Sequence, residues 1–114
     1  MTSATGQTAD GWWEVGVRRT VALDHEAAWT WVRRLIHDDE AVREVRSETP
    51  GRVLRVTYQQ EAWAAPSTLQ LRVLPAATGT TIAVHNEHLA DSDTREAMRR
   101  HWTAALDELT DGRP

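Results

Sequence analysis

Two hydrophobic periods alternate along the chain, and together they predict seven elements. From Trp13 the apolar positions recur every second residue: Trp13, Val15 and Val17 fall on one face, Glu14, Gly16 and Arg18 on the other. Period two marks a half-buried strand, here continuing through residues 20–23. Asp24 then stands where a helix N-cap belongs, with Glu26 in the first turn, where the helix dipole favours negative charge. Ala28, Trp29, Val32, Leu35 and Ile36 follow at helical offsets and form one apolar stripe.

Residues 37–40, "HDDE", close that helix and open a meander. Val42 and Val45 mark a short strand that stops at the turn residues "TPG". Leu54, Val56 and Tyr58 then alternate with Arg55, Thr57 and Gln59. Leu69, Leu71 and Val73 alternate with Gln70 and Arg72, and Ile82 and Val84 with Ala83 and His85. Four strands at hairpin spacing predict an antiparallel sheet. The last element is a helix whose stripe is Met98, Trp102, Ala105, Leu106 and Leu109. Asp93 and Glu96 lie at capping-box spacing before it, Asp91 fits the same turn, and "DGRP" supplies the stop. The predicted fold is α+β, ordered β-α-β-β-β-β-α. A curved antiparallel sheet of about five strands wraps a long C-terminal helix, so that every apolar face is buried.

Length and composition then set limits. At 114 residues a single domain is expected, large enough to fold without disulfides or a structural metal. It is assigned to residues 12–110, between a small, polar, disordered tail at 1–11 and a C-terminal tail at 111–114. The absence of cysteine removes thiol nucleophiles and thiolate metal sites. A net charge of −4 with no basic run argues against nucleic acid as a partner. No apolar stretch approaches a membrane span or a signal peptide, so a cytoplasmic protein without membrane contact is expected. All thirteen basic residues are arginine and phenylalanine is missing, which leaves six tryptophans to supply bulky apolar volume.

The densest cluster of titratable groups is "HNEHLADSDTREAMRRHW", residues 85–102. On a strand His85 and His88 point to opposite faces. His85 shares its face with Glu87 and His88 with Asn86, so neither face collects three ligands locally. No metal, cofactor or catalytic residue is assigned. Asp91, Asp93 and Glu96 read as helix-capping charge, and Arg99 and Arg100 as a solvated face. Asn86 and His88 continue the inward phase of Ile82 and Val84, and Tyr58 that of Leu54 and Val56. Trp63 lies in the loop after Tyr58, and His101 beside the Met98–Trp102 stripe. With Trp31 these eight residues, Trp31, Tyr58, Trp63, Asn86, His88, Met98, His101 and Trp102, are the candidate lining of an apolar cavity with a few polar groups.

Three stretches carry a resemblance to a known family: "VRRTVALDHEAAW" leading into the first helix, "TTIAVHNEHLAD" as last strand and acidic turn, and "HWTAALDEL" as closing helix. In order and spacing, residues 13–109 resemble the SRPBCC or START-like superfamily of helix-grip folds, in the branch named after activators of the Hsp-90 ATPase. Typical members run longer between the first helix and the last strands, where this chain has only "HDDEAVRE". The resemblance implies a smaller sheet, a shallower cavity, and an edge or apolar patch that a homodimer would cover. It also implies non-catalytic binding of a hydrophobic or aromatic small molecule between sheet and C-terminal helix. The alternatives it implies are a polyketide cyclase-like enzyme assisted by His88 or His101, a self-resistance protein that sequesters a toxin, and a chaperone-activating partner protein.

Overall fold

The computed structural model describes residues 5–110. Its elements are β1 (Trp13–Val21), α1 (His25–Asp38), β2 (Val42–Thr49), β3 (Val53–Tyr58), β4 (Ser67–Ala76), β5 (Gly79–Leu89) and α2 (Ser92–Thr110). The order is the predicted β-α-β-β-β-β-α. One antiparallel sheet runs β1-β5-β4-β3-β2, so the first strand closes onto the last. That crossing leaves α2 on β1 and β5 and α1 across β4 and β5, and the two helices pack on the sheet rather than on each other.

Each element follows from local chemistry. Asp24 caps α1, its carboxylate accepting from the Ala27 amide at 2.7 Å, and Ala28, Val32 and Ile36 are its buried stripe. The strict alternation of β3, β4 and β5 sends Leu54, Val56, Leu69, Leu71, Ile82 and Val84 inward against Met98, Trp102 and Leu106 of α2. Gly79 sits in the tight β4–β5 turn at φ +150°, where a side-chain carbon would lie 2.1 Å from the Val21 carbonyl oxygen; only glycine fits.

Two details differ from the sequence reading. The turn into α2 is capped by Asp91 rather than Asp93: the Thr94 amide donates to Asp91 Oδ1 at 2.7 Å, and Glu96 pairs with Arg99 instead of reaching back. Residues 5–11, expected to belong to an unstructured tail, fold back along β1. The Glu14 amide donates to the Gly6 carbonyl at 2.7 Å, Gln7 bridges Trp13, and Thr8 Oγ1 donates to the Trp12 carbonyl. Their small polar composition hides these main-chain bonds. Residues 1–4 and the tail at 111–114, with its stop signal, lie outside the described residues.

β2 runs for eight residues, none of them buried. It is an edge strand whose register against β3 shifts twice, and Val45 is 54% exposed. Bulges of this kind blunt an edge against further pairing. Among the described residues no helix is long and apolar enough to cross a membrane.

Candidate functional site

Where the sequence predicts pocket-lining residues between sheet and α2, the structure has a packed interior. Strand alternation turns Tyr58 at the end of β3, Ser67 at the start of β4 and Asn86 on β5 to the same side, under Trp102 of α2. Tyr58 and Ser67 are cross-strand partners, as are Leu69 and Asn86. Asn86 is fully buried and uses its whole amide: Nδ2 donates to Ser67 Oγ (3.0 Å) and to the Thr68 carbonyl (3.1 Å), and Oδ1 accepts from Trp102 Nε1 (3.3 Å). Ser67 Oγ donates onward to the Tyr58 carbonyl at 2.7 Å. Among the described residues no buried side-chain nitrogen or oxygen lacks a partner. Such a network fixes a unique packing rather than offering free valences.

The aromatic side chains complete the fill. The Tyr58 ring stands 5.5 Å from Trp102 and 5.6 Å from Trp63, both inclined edge to face. Burial pushes the Tyr58 phenol up to about 12, with the Gln60 amide that donates to its oxygen (3.2 Å) pulling the other way. The same Gln60 nitrogen lies 3.9 Å from Met98 Sδ, so Met98 also belongs to this interior.

Open space begins where α1 and α2 diverge. Trp31, Leu35 and Asp38 of α1, Asp39 and Glu40 after it, and His101, Ala104, Ala105 and Glu108 of α2 enclose a groove of about 730 Å³. It continues past Asp39, Glu40 and His101 into a depression of about 490 Å³ walled by Tyr58, Gln60 and Arg43. The trough therefore has an apolar stretch from Trp31 to Ala105, a charged rim, and a phenol and an amide at its inner end. His101 is exposed on this rim and stands edge-on to Trp102, 4.5 Å away. Of the eight predicted residues, Trp31, His101 and Tyr58 meet at this trough, and Asn86, Met98 and Trp102 support it from beneath.

Trp63 and His88 go elsewhere. They line a smaller depression of about 260 Å³ with Leu89, Asp91 and Thr94. His88 does not continue the inward phase of Asn86. The register of β1 against β5 shifts between Trp13 and Val15, His88 takes φ 65°, and Leu89 occupies the inward position instead. A bulge residue in the left-handed region turns its side chain out of phase. The exposed imidazole stacks on Trp12, ring centroids 3.7 Å apart. Trp12 gives no local sequence signal for this, because its partner is seventy-odd residues away.

On the outer face of the sheet the neighbouring strand adds what β5 lacks locally. Glu14 of β1 comes alongside His85 and Glu87, with His85 Nε2 3.4 Å from Glu14 Oε2 and 3.8 Å from Glu87 Oε2. Arg55 of β3 donates to the other oxygen of Glu87 at 3.1 Å. The sequence reading, that neither face collects three ligands locally, holds for β5 by itself; the third group, Glu14, is brought in by the cross-strand register. Of the three carboxylates read as helix-capping charge, Asp91 caps α2, and hydrogen bonds from Thr94 hold it below the usual carboxylate range; Glu96 is lowered by Arg99, with which it pairs instead.

No protein-family model matches the chain, and no curated protein is similar to it at a significant level. Solved structures do resemble it. CalU16 of Micromonospora echinospora superposes with a TM-score of 0.71 at 15% identity, over 91% of this chain and 76% of that one. An AHSA1-like protein of Rhizobium etli gives 0.70 at 12% identity, over 91% and 84% of the two chains. The di-domain ARO/CYC protein StfQ of the steffimycin biosynthetic pathway gives 0.52 at 11% identity, over 87% of this chain and 47% of its own. These likenesses agree with the element order and the sheet closure onto α2. The chain has the helix-grip fold of these structures, in a five-stranded form.

Proposed function

We propose that the chain is a non-catalytic binding protein that takes a hydrophobic or aromatic small molecule in the trough between α1 and α2. The observation that carries this reading is the combination at one place of Trp31, Leu35 and Ala105 with the Tyr58–Gln60 end and the His101 rim, around open space of about 730 Å³. That size falls in the range of small-molecule sites, roughly 300–1,000 Å³, and mostly apolar walls with a few fixed polar groups are their usual make-up. Binding would rest on apolar burial and stacking on Trp31, with His101 and the Tyr58 hydroxyl orienting polar substituents.

The second reading is a cyclase-like enzyme on the same fold, favoured by the likeness to an ARO/CYC protein and by an exposed imidazole on the trough rim. Among the described residues His101 has no hydrogen-bonded carboxylate, although Asp39, Glu40 and Glu108 share the groove with it, so turnover would depend mainly on the shape of the trough. His101→Gln separates the two: a binding protein forms no product with or without the substitution, whereas a cyclase slows.

The test is a melting-temperature and tryptophan-quenching screen against aromatic and polyketide-like compounds, repeated on Ala105→Trp, which fills the groove. A ligand at one hundred times its dissociation constant stabilises the protein by about 2.7 kcal/mol, readily seen in a domain this small. A hit abolished by Ala105→Trp establishes the trough as the site. A hit that survives the substitution, or a blank across chemically diverse compounds, rejects it.

A further inference from the structure

We propose that the outer face of the sheet carries a site for one divalent transition-metal ion, zinc being the type case, held by Glu14, His85 and Glu87. The site lies on the face opposite the trough and is independent of the function proposed above.

The donor set and its spacing fit. One imidazole nitrogen and two carboxylate oxygens, all within 4.8 Å of one another, are ligand types that zinc accepts. With metal–ligand bonds of about 2.0–2.1 Å, ligands of a tetrahedral ion stand roughly 3.4 Å apart. His85 Nε2 is already 3.4 Å from Glu14 Oε2 and 3.8 Å from Glu87 Oε2. Closing the remainder takes rotation of two glutamate side chains, which are half exposed and have room to move.

The groups are also presented by rigid elements. Glu14 sits at the β1 register shift that brings it level with the end of β5. Its main chain is fastened on both sides, the amide donating to Gly6 (2.7 Å) and the carbonyl accepting from Arg95 Nε (2.8 Å). Arg55 occupies Glu87 Oε1 and is itself held by Gln70, which leaves Oε2 toward the imidazole. An outer partner of this kind orients a ligating carboxylate.

Access and electrostatics point the same way. Gly16 is the cross-strand partner of His85, so no side chain stands directly opposite the imidazole on β1. On the other side a depression of about 440 Å³, lined by Trp12, Glu14, Arg46, Glu87 and His88 among others, adjoins the two carboxylates and leaves room for a water or a small anion as a further ligand. Carboxylates facing each other from adjacent strands repel. A bound dication removes that repulsion and converts the cluster into a net attraction.

Calorimetric titration of the untagged full chain with zinc chloride, and the visible ligand-field bands of added cobalt(II), test the site directly. One ion per chain is expected, with affinity reduced at least about tenfold by His85→Gln and by Glu14→Gln, the order of loss typical of disturbed metal sites. His101→Gln and His88→Gln are expected to bind unchanged. All four variants alter exposed or half-exposed side chains, and their melting temperatures without metal show that each is folded. Absence of binding at millimolar zinc overturns the proposal, as does binding that His85→Gln leaves intact; either result makes the cluster an ion-pair network only.

Discussion

Asn86 and His85 are neighbours on β5 and both carry polar, hydrogen-bonding side chains, yet the sheet assigns them opposite fates. Asn86 points inward, is fully buried, and uses all of its amide on Ser67, Thr68 and Trp102. His85 points outward with its side chain 44% exposed, between two carboxylates that water also reaches. A buried polar group must be satisfied by the protein itself, because water cannot do so, and once satisfied it has nothing left to offer a ligand. An outward polar group keeps its valences. The inner face is thus the structural side of this sheet, and chemistry belongs to the outer face and to the trough where the helices part.

The largest expected effect is at the centre of the inner face. Trp102→Ala removes the largest fully buried side chain and the donor to Asn86 Oδ1. It is expected to cost ~3–5 kcal/mol in urea unfolding. A loss below ~1.5 kcal/mol, the range of substitutions that a core absorbs by repacking, would mean that the interior is loose and already holds usable space. Next comes Asn86→Leu, which keeps the volume but orphans the Trp102 indole N–H and removes the donor to the Thr68 carbonyl and to Ser67 Oγ, whose own bond to the Tyr58 carbonyl remains. A loss of ~1–3 kcal/mol is expected from those unsatisfied groups. A neutral or stabilised Asn86→Leu would show that water already reaches the network.

The sequence disclosed one half of this contrast and not the other. Alternation alone put Leu54, Val56, Tyr58, Ile82, Val84 and Asn86 on one face, because period two is a local property of the chain. The stripe of α2 and the cap of α1 were legible for the same reason. What Asn86 does there was not legible: its partners Ser67 and Trp102 lie nineteen and sixteen residues away, so the contact depends on sheet register and helix placement. The phase error at His88 has the same source. The bulge that turns it out is a mismatch between β1 and β5, and neither strand shows it alone. Glu14 joins His85 and Glu87 through that same pairing, seventy-one residues apart for the first pair.

A smaller effect tests the closure of the interior from the tyrosine. Tyr58 is the one tyrosine in the chain, so the tyrosinate absorbance change on alkaline titration reports it without overlap from another phenol. Burial raises the folded value to about 12 from the ordinary 10, because the charged phenolate is excluded. Raised in the folded state, this group contributes stability that is fully present below pH 10 and declines as pH rises from there through about 12. An absorbance midpoint near 10 in protein that circular dichroism shows to be folded would mean that water reaches the phenol freely and that the interior is not closed at Tyr58.

The smallest effect is the most informative partner to the second. His85→Gln, measured in chelator-treated buffer, is expected to change unfolding stability by no more than ~0.5 kcal/mol, as for most surface substitutions. Its contacts with Glu14 and Glu87 are half exposed, and even charged pairs in such a setting are screened and worth little. The adjacent Asn86→Leu is expected to exceed it several-fold, although the two residues share a strand, a register and a neighbour in sequence. That ratio is the comparison in one number, and it separates burial from secondary structure as the cause. Should His85→Gln cost as much as Asn86→Leu, the outer cluster is itself holding the sheet together. Its groups would then be engaged in the fold in the same sense as the inner ones, and they would not be at the disposal of an ion.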